Sequence, residues 1–485
     1  MSDIGIKAFG AYVPRLRMDR AAIAAAHAWA MPGLKSAGKG ERAFCSWDED
    51  SITMSVDAVR ACLRSVSSAP GAASASVRAL TFASTTPVFA DLQNASVIAG
   101  ASGLASDLST LDATGSLRAG TASLIRALES GMSGDLIVVA ADHRKARPGS
   151  QQEMQYGAGS FAARIGSGEI IARFLGSASS VSQFVDHFRA DGEKFDYQWE
   201  ERWIRDEGYL KLVPEVVNRL FNTADVTPDA VDFFCLPATI SGVAAAVAKQ
   251  LKLKPEAIVD NLAARCGDTG APHPLMMLGV ALEAAKPGQK ILVVGFGAGC
   301  DALLFEATTA ISAYKSAASV SSAIARGVTD KSYNKLLSFG GELDLDWGMR
   351  SETDYKTAMT QHYRSREQVV SFHAGKCANC NAIQFPQMPA CVRCGSVVKM
   401  SSVSLRDESA RVATFTADWL MFYPAPPLYV GLVQFDNGAR LVMEMVDVDP
   451  SKFDVGSPLR MVYRIKEKDN MRHYNRYFWK AAPLV

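Results

Sequence analysis

The stretch Phe372-His-Ala-Gly-Lys-Cys377-Ala-Asn-Cys380 is followed, after ten intervening residues, by Cys391-Val-Arg-Cys394-Gly395. Each two-residue spacing lets both sulfurs of a pair reach one ion from the tip of a turn, and two such pairs complete a tetrahedral site. All four positions are then filled by protein, with none left for water or substrate. The expectation is a structural Zn2+ held by Cys377, Cys380, Cys391 and Cys394 in a zinc ribbon over residues 372–400, with metal binding converted directly into folding free energy. The competing readings are disulfides or unrelated thiols. Nine cysteines are present, and Cys45, Cys62, Cys235, Cys266 and Cys300 are scattered. An odd count with no secretory leader read at the N-terminus favours free thiols in a reducing compartment, and hence the metal.

Working outward, the sequence after the ribbon falls into short alternating runs, Val412–Thr416, Leu428–Phe435 and Arg440–Met445, with Pro424-Ala-Pro-Pro427 separating two of them. Proline cannot donate to a ladder, so this spacing predicts a small β-barrel over 401–485. Before the ribbon, residues 311–371 read as a connecting segment, which the Ala- and Ser-rich Thr308–Ala325 leads into. The first 310 residues alternate strand-like runs (Ile4–Phe9, Ala79–Ala83, Leu136–Ala140, Ile170–Leu175, Val231–Leu236, Ile291–Phe296) with helical ones. Such alternation implies an α/β domain with sheets covered on both faces. Ser51 reads as the N-cap of an amphipathic helix reaching Leu63.

The 485 residues call for more than one core; 48% are apolar and 21% charged, a mix that can bury them. Lys plus Arg (51) and Asp plus Glu (50) nearly cancel, so no bulk field draws the chain to nucleic acid or an anionic membrane. No segment approaches a membrane span, and the expected setting is cytoplasmic.

The ribbon, its Phe385-Pro386 and the ending Arg476-Tyr-Phe-Trp-Lys480 resemble the zinc-ribbon and OB-fold module found beside thiolase-type enzymes. That resemblance implies an OB-fold barrel acting as an accessory to acyl-CoA chemistry. Trp419, Phe422 and Tyr423 suggest base stacking on such a fold, but aromatics at this spacing are more often core, and the balanced charge argues against nucleic acid. In the first 310 residues, Gly10-Ala-Tyr-Val-Pro14, Lys39-Gly-Glu41, Trp47-Asp-Glu-Asp50, Arg118-Ala-Gly-Thr121, Ala141-Asp142, Pro148-Gly149 and Ala285-Lys-Pro-Gly288 resemble hydroxymethylglutaryl-CoA synthases. The resemblance implies a thiolase-like, five-layered αβαβα domain of two similar halves, each with a five-stranded sheet. It also implies a coenzyme A thioester substrate and a homodimer joined through an edge strand.

The family's chemistry does not carry over residue by residue. Leu117 stands where the resemblance places a nucleophilic cysteine, Thr85 where it places a glutamate, Cys235 where it places a histidine and Asp268 where it places an asparagine. Cys235, Asp268 and His273 remain as the expected catalytic set, a thiol, a carboxylate and an imidazole able to move protons. Ser116 and Cys300, the latter in Gly297-Ala-Gly-Cys-Asp301, are expected to border the thioester, and His143 and Arg144, followed by Lys145, to meet the CoA phosphates. Each has a structural reading too: a buried thiol is a small hydrophobe, Asp after Gly bonds its own turn, a histidine between prolines can simply hold a loop, and a basic run is often only solvated. The favoured activity is formation or cleavage of a C–C bond next to a CoA thioester, either as the family's condensation or as an aldol or retro-aldol step without an acyl-enzyme. The alternative is a catalytically silent acyl-CoA-binding scaffold or a partner subunit of another thiolase.

Overall fold

Nine strands of small, β-branched and aromatic residues build one mixed sheet: β1 (Ile4–Tyr12), β2 (Val77–Ala83), β3 (Ser109–Ala113), β4 (Asp135–His143), β5 (Ala158–Ser167), β6 (Ala172–Val181), β7 (Val231–Cys235), β8 (Lys290–Phe296) and β9 (Gly299–Ala307). The protein is described by a computed structural model covering residues 3–65, 72–348 and 356–484. The strand order is β7-β8-β9-β6-β1-β5-β4-β2-β3. In the first half β2 runs parallel to β3 and β4, while β4, β5 and β1 are antiparallel neighbours. The second half repeats this logic, with β7 parallel to β8 and β8, β9 and β6 antiparallel. A short pairing of Gly5 and Ile6 with Arg173 and Ala172 stitches the halves together. Gly5 permits it, because a Cβ there would collide with the Ala172 carbonyl.

The second half has four strands where five were expected. Its fifth is reduced to one parallel bridge between Ile258 and Phe234. The cause is local: Ile258 N–H returns to Pro255, and the Asp260 and Asn261 side chains accept from the N–H groups of Leu262 and Ala263, turning the chain away.

Helices α1 (Ser51–Arg64), α2 (Ala119–Glu129), α3 (Leu210–Ala224) and α4 (His273–Ala284) complete five layers. α1 covers β1, β5 and β4, and α3 covers β6 and β9 on the far side; α2 and α4 lie between, each touching strands of both halves. α4, His-Pro-Leu-Met-Met-Leu-Gly-Val-Ala-Leu-Glu-Ala, is apolar nearly all round, as a helix between two sheets must be. At α2, a Cβ on Gly120 would meet the Ala271 carbonyl oxygen at 2.5 Å, so this glycine sets how closely the two central helices approach. The N-cap of α1 is Asp50, one residue before the expected Ser51: its carboxylate accepts from Thr53 N–H (2.9 Å) and Thr53 Oγ1 accepts from Asp50 N–H (2.8 Å).

The first compact unit runs to Leu337, with Val328–Asp330 pairing in parallel with Leu16–Asp19. The second comprises Ser338–Val485 with the short segments Ser46–Glu49 and Gly100–Gly103. In it, the strands His373–Lys376, Ile383–Gln384 and Ser401–Ser404 form the ribbon sheet. A closed barrel follows, β10 (Ala410–Asp418), β11 (Leu428–Phe435), β12 (Arg440–Met445), β13 (Pro458–Asp469) and β14 (Tyr474–Pro483), in the order β10-β11-β12-β14-β13 and closed by β13 on β10. Trp479 stacks on Phe372 (5.6 Å, 6°) and donates to the Val370 carbonyl. The buried Lys480 ammonium lies 3.0 Å from both Asp48 and Glu444. Burial pushes the Asp48 carboxyl up, but the charges of Lys480 and Arg464 more than offset this and hold it below its usual value. Trp419, expected in the core, is 63% exposed, because Asp418 caps Leu420 and Met421 in a turn that projects it outward. Among the described residues no helix is long and apolar enough to cross a membrane.

Candidate active site

A buried carboxylate organises the ends of the central strands. Asp142, at the end of β4, accepts from Ser84 Oγ and from the N–H and hydroxyl groups of Thr85 and Thr86, at 2.7–3.0 Å, and from Ala271 N–H at 2.8 Å. One side chain thereby fixes both the Thr85 loop and the turn leading into α4, and its charge is met by protein donors.

The turn into α2 forms the second wall. Ser116 donates to the Gly297 carbonyl (3.0 Å) and accepts from Arg118 N–H; Arg118 donates to Gly297 and to Asp301 (2.7 Å), which also accepts from Thr121 (2.9 Å). The Arg-Ala-Gly-Thr run thus serves to hold the glycine-rich turn. Leu117, one residue before the Arg118 N-cap of α2, is half-buried and faces a cavity.

The third wall is the Gly267–Gly270 turn. Arg144 donates to the Asp268 carboxylate at 2.6 Å and lies 3.9 Å over the Tyr156 ring. Burial works against the Arg144 charge, but Asp268, Tyr156, Asp142 and Asp196 more than restore it, so its pKa is raised. Burial likewise pushes the Asp268 carboxyl up, and the Arg144 guanidinium, His273 and the Gly270 N–H reverse this and bring it down to about 2. Arg144 Nε is buried without a hydrogen-bond partner.

A hairpin, His187–Phe188 paired with Tyr197–Gln198, forms the fourth wall. Asp196 pins it by accepting from Arg189 (2.8 Å) and from Tyr156 Oη (3.0 Å), and Arg189 also donates to the Thr85 carbonyl. Asp186 accepts from His187 Nδ1 at 2.8 Å. A π-helical turn, Ile204–Tyr209, brings in Tyr209, stacked on Phe296 at 4.1 Å.

These walls enclose two adjoining cavities that share Asp186 and His187. One, about 60 Å³, is lined by Leu117, Arg144, Tyr156, Tyr209 and Asp268 among others. The other, about 180 Å³, is lined by Thr85, Ser116, Arg189 and Gly297 among others. A further cavity, about 360 Å³, runs from Ser116 along edge strand β3 and the flank of α2 that includes Ser123 and Arg126. It shares Ser116 with the second cavity but lacks Arg144, Asp268 and the Asp186–His187 pair, which converge on the first two.

Of the expected site residues, Asp268, Arg144 and Ser116 reach this cleft. Cys235 does not: it is fully buried in the apolar core, two residues short of the cavity-lining Pro237, and burial alone pushes its thiol up. Cys300 is buried on β9 and its thiol is likewise raised by burial. His273 is 3.8 Å from Asp268, but both ring nitrogens are committed: Nδ1 accepts from Thr269 N–H (3.1 Å) and Nε2 lies 2.7 Å from the Asn261 carbonyl. Burial lowers its pKa, and the ring ties the start of α4 to Thr269 and Asn261. The thiol, imidazole and carboxylate expected to converge therefore do not, because two of them are spent on packing and turn geometry. His143 lies at the end of β4, its N–H bound to Thr86 Oγ1, and lines neither cavity. Asp186, His187, Tyr156 and Tyr209 were missed; the one signal in the sequence was the adjacent Asp-His pair in a loop without hydrophobic periodicity.

In the second unit, the four cysteines of the ribbon bring their sulfurs within 4.8 Å of one another, with Cys377–Cys394 at 3.8 Å and Cys380–Cys391 at 3.6 Å. A tetrahedral ion with metal–sulfur bonds of about 2.3 Å requires sulfur separations of about 3.8 Å, so the set fits a metal ion. The two knuckles share one design: Cys377 N–H reaches Ala382 and Asn381 N–H reaches Cys377, while Cys391 N–H reaches Ser396 and Gly395 N–H reaches Cys391. Asn381 (φ 58°) and Gly395 (φ 68°) both take the left-handed conformation that closes the turn.

Comparison with known proteins agrees with this architecture. Residues 221–306 match the family described as 3-oxoacyl-[acyl-carrier-protein (ACP)] synthase III C terminal. The hydroxymethylglutaryl-CoA synthase of Pyrococcus horikoshii is 30% identical over 305 residues, spanning 62% of this chain and 84% of that protein. Among solved structures, MvaS in complex with 3-hydroxy-3-methylglutaryl coenzyme A aligns with a TM-score of 0.57 at 18% identity, over 73% of this chain and 96% of its own. The 3-oxoacyl-(acyl carrier protein) synthase III of Pseudomonas aeruginosa aligns with a TM-score of 0.55 at 20% identity, over 63% and 98%. The fold is that of the condensing enzymes of the thiolase superfamily. Within that class, the chain belongs to the hydroxymethylglutaryl-CoA synthase family.

Proposed function

We propose that the cleft beside Leu117 takes a coenzyme A thioester and that the protein makes or breaks the C–C bond next to it by aldol or retro-aldol chemistry, without an acyl-enzyme. The observation that carries this reading is the residue at the turn into α2: leucine cannot accept an acyl group, yet the cavity it faces keeps a buried cation, two tyrosines and two carboxylates. In the cleavage direction, a base removes the C3 hydroxyl proton of a 3-hydroxyacyl-CoA. The O–H electrons become the C3 carbonyl, the C2–C3 bond breaks, and its electrons pass to C2 and the thioester oxygen. Arg144 is the group suited to face that negative charge, with Asp268 and Tyr156 holding it in place. C2 then takes up a proton, and the products are a shorter acyl-CoA and a carbonyl compound.

Cys377, Cys380, Cys391 and Cys394 would hold Zn2+ with every ligand position filled, which supplies folding energy to the ribbon and no chemistry. The exposed Leu111 on edge strand β3 and Met132 beside it suit a homodimer joined there. A cytoplasmic setting accords with the free thiols.

A silent acyl-CoA scaffold is the second reading, favoured by the small volume, about 60 Å³, of the cavity beside Leu117. To choose between them, the full chain is incubated with 3-hydroxyacyl-CoA thioesters, 3-hydroxy-3-methylglutaryl-CoA first, and the products are followed by mass spectrometry. Appearance of a shorter acyl-CoA with its carbonyl partner supports the enzyme. Tight binding of every thioester with none consumed would leave the scaffold.

A further inference from the structure

We infer that His187, oriented by Asp186, is the residue that moves the proton in this cleft; the assignment rests on the reading above and names the base which that reading requires. Three observations converge on it. The first is its own geometry: Nδ1 is 2.8 Å from Asp186 Oδ2, and a carboxylate can only accept, so Nδ1 is the donor and the neutral ring has its lone pair at Nε2. Among the described residues Nε2 has no hydrogen-bond partner.

The second is position. His187 and Asp186 form the shared wall of both cavities, with Leu117, Arg144 and Asp268 on one side and Thr85, Ser116 and Gly297 on the other. A thioester lying along the turn into α2 would pass this ring. The third is rigidity. The hairpin is held at four points: the His187–Gln198 pairing, Trp199 N–H to the Asp186 carbonyl (2.9 Å), Asp196 to Tyr156 and Arg189 to Thr85. A ring placed this firmly is pre-organised for proton transfer. The alternatives are excluded on the same grounds, since His273 has both nitrogens engaged and Cys235 has no access to the cleft.

The step balances. Nε2 takes the proton from the C3 hydroxyl as the C2–C3 bond breaks, and the imidazolium is stabilised by Asp186. The same proton, or one exchanged with solvent, is returned from Nε2 to C2 of the enolate, and the neutral ring is restored.

The return step gives a test that does not require knowing the natural acyl group. In D2O, the full chain should wash deuterium into C2 of acetyl-CoA, followed by mass spectrometry. His187→Gln should slow this by a factor of about 100 or more, the usual worth of a general base. His187→Phe, which preserves ring volume, should do the same with acetyl-CoA binding and the circular dichroism spectrum unchanged. Asp186→Asn should lower the exchange rate constant while leaving the Kd for acetyl-CoA where it was, which separates positioning of the ring from substrate binding. Exchange at the wild-type rate in both His187 variants would overturn the assignment while leaving the C–C reading standing. Absence of exchange in the wild-type chain with acetyl-CoA bound would overturn both.

Discussion

A carboxylate out of water must be surrounded by donors or by a cation, and Asp142 and Asp268 meet this requirement in different ways. Asp142 accepts only neutral donors and holds two loops together; Asp268 takes the Arg144 guanidinium and sets the charge of the cleft. Because the folded pKa of Asp268, about 2, lies below its ordinary 3.8, this carboxylate stabilises the fold at pH values above about 4, and the contribution is lost as pH falls from there to about 2. Its size is roughly 2 kcal/mol. Asp268→Asn is therefore expected to lower stability at pH 7 by about that amount and to flatten the stability profile between pH 4 and 2, as read by urea unfolding across pH. An unchanged acid limb would show that Arg144 and Asp268 are not coupled. Asp268 could be picked out in the sequence from its Gly-Asp-Thr setting, but its partner could not, being 124 residues away. The Asp186–His187 pair stands in the sequence, but its surroundings could not be read for a related reason: they are assembled from the turn into α2, the end of β4 and the Gly267–Gly270 turn, none of them near it in the chain.

Elements whose own sequence pattern matches their final state were readable, and those completed by neighbours were not. The barrel strands β11 and β12 coincide with the expected Leu428–Phe435 and Arg440–Met445. By contrast β5, Ala-Gly-Ser-Phe-Ala-Ala-Arg-Ile-Gly-Ser, has little β-branched character and is a strand because β1 and β4 flank it on both sides. Strand β3, Ser-Thr-Leu-Asp-Ala, and β9 were missed in the same way. The cysteine knuckles are the opposite case, since spacing alone specifies them. Each knuckle is too small to have a core of its own, with Met400 and Ala382 the hydrophobic residues packed beside the cysteines among the described residues, so an ion held by the four sulfurs would supply folding energy. Cys391→Ser is expected to reduce bound zinc from about one ion per chain to a small fraction. Proteolysis within 372–400 should become faster, with the first unit's α/β domain left resistant. Full zinc retention in that variant, measured by elemental analysis, would contradict the tetrahedral set.

At the scale of the whole molecule, the layered α/β unit has the architecture of the hydroxymethylglutaryl-CoA synthase family, and the residue at the turn into α2 is Leu117. The family fold could be read from dispersed motifs such as Arg118-Ala-Gly-Thr121, because these fix backbone turns and ion pairs rather than chemistry. For the same reason those motifs could not reveal which groups converge on the cleft, a property of the cleft as assembled. Chemistry at a thioester without covalent attachment is tested most directly by quenching the full chain in acid during turnover of a 3-hydroxyacyl-CoA and weighing the intact protein. The unmodified mass, with shorter acyl-CoA accumulating, is the predicted result; a chain heavier by one acyl group, on Cys235 or any other thiol, would contradict it.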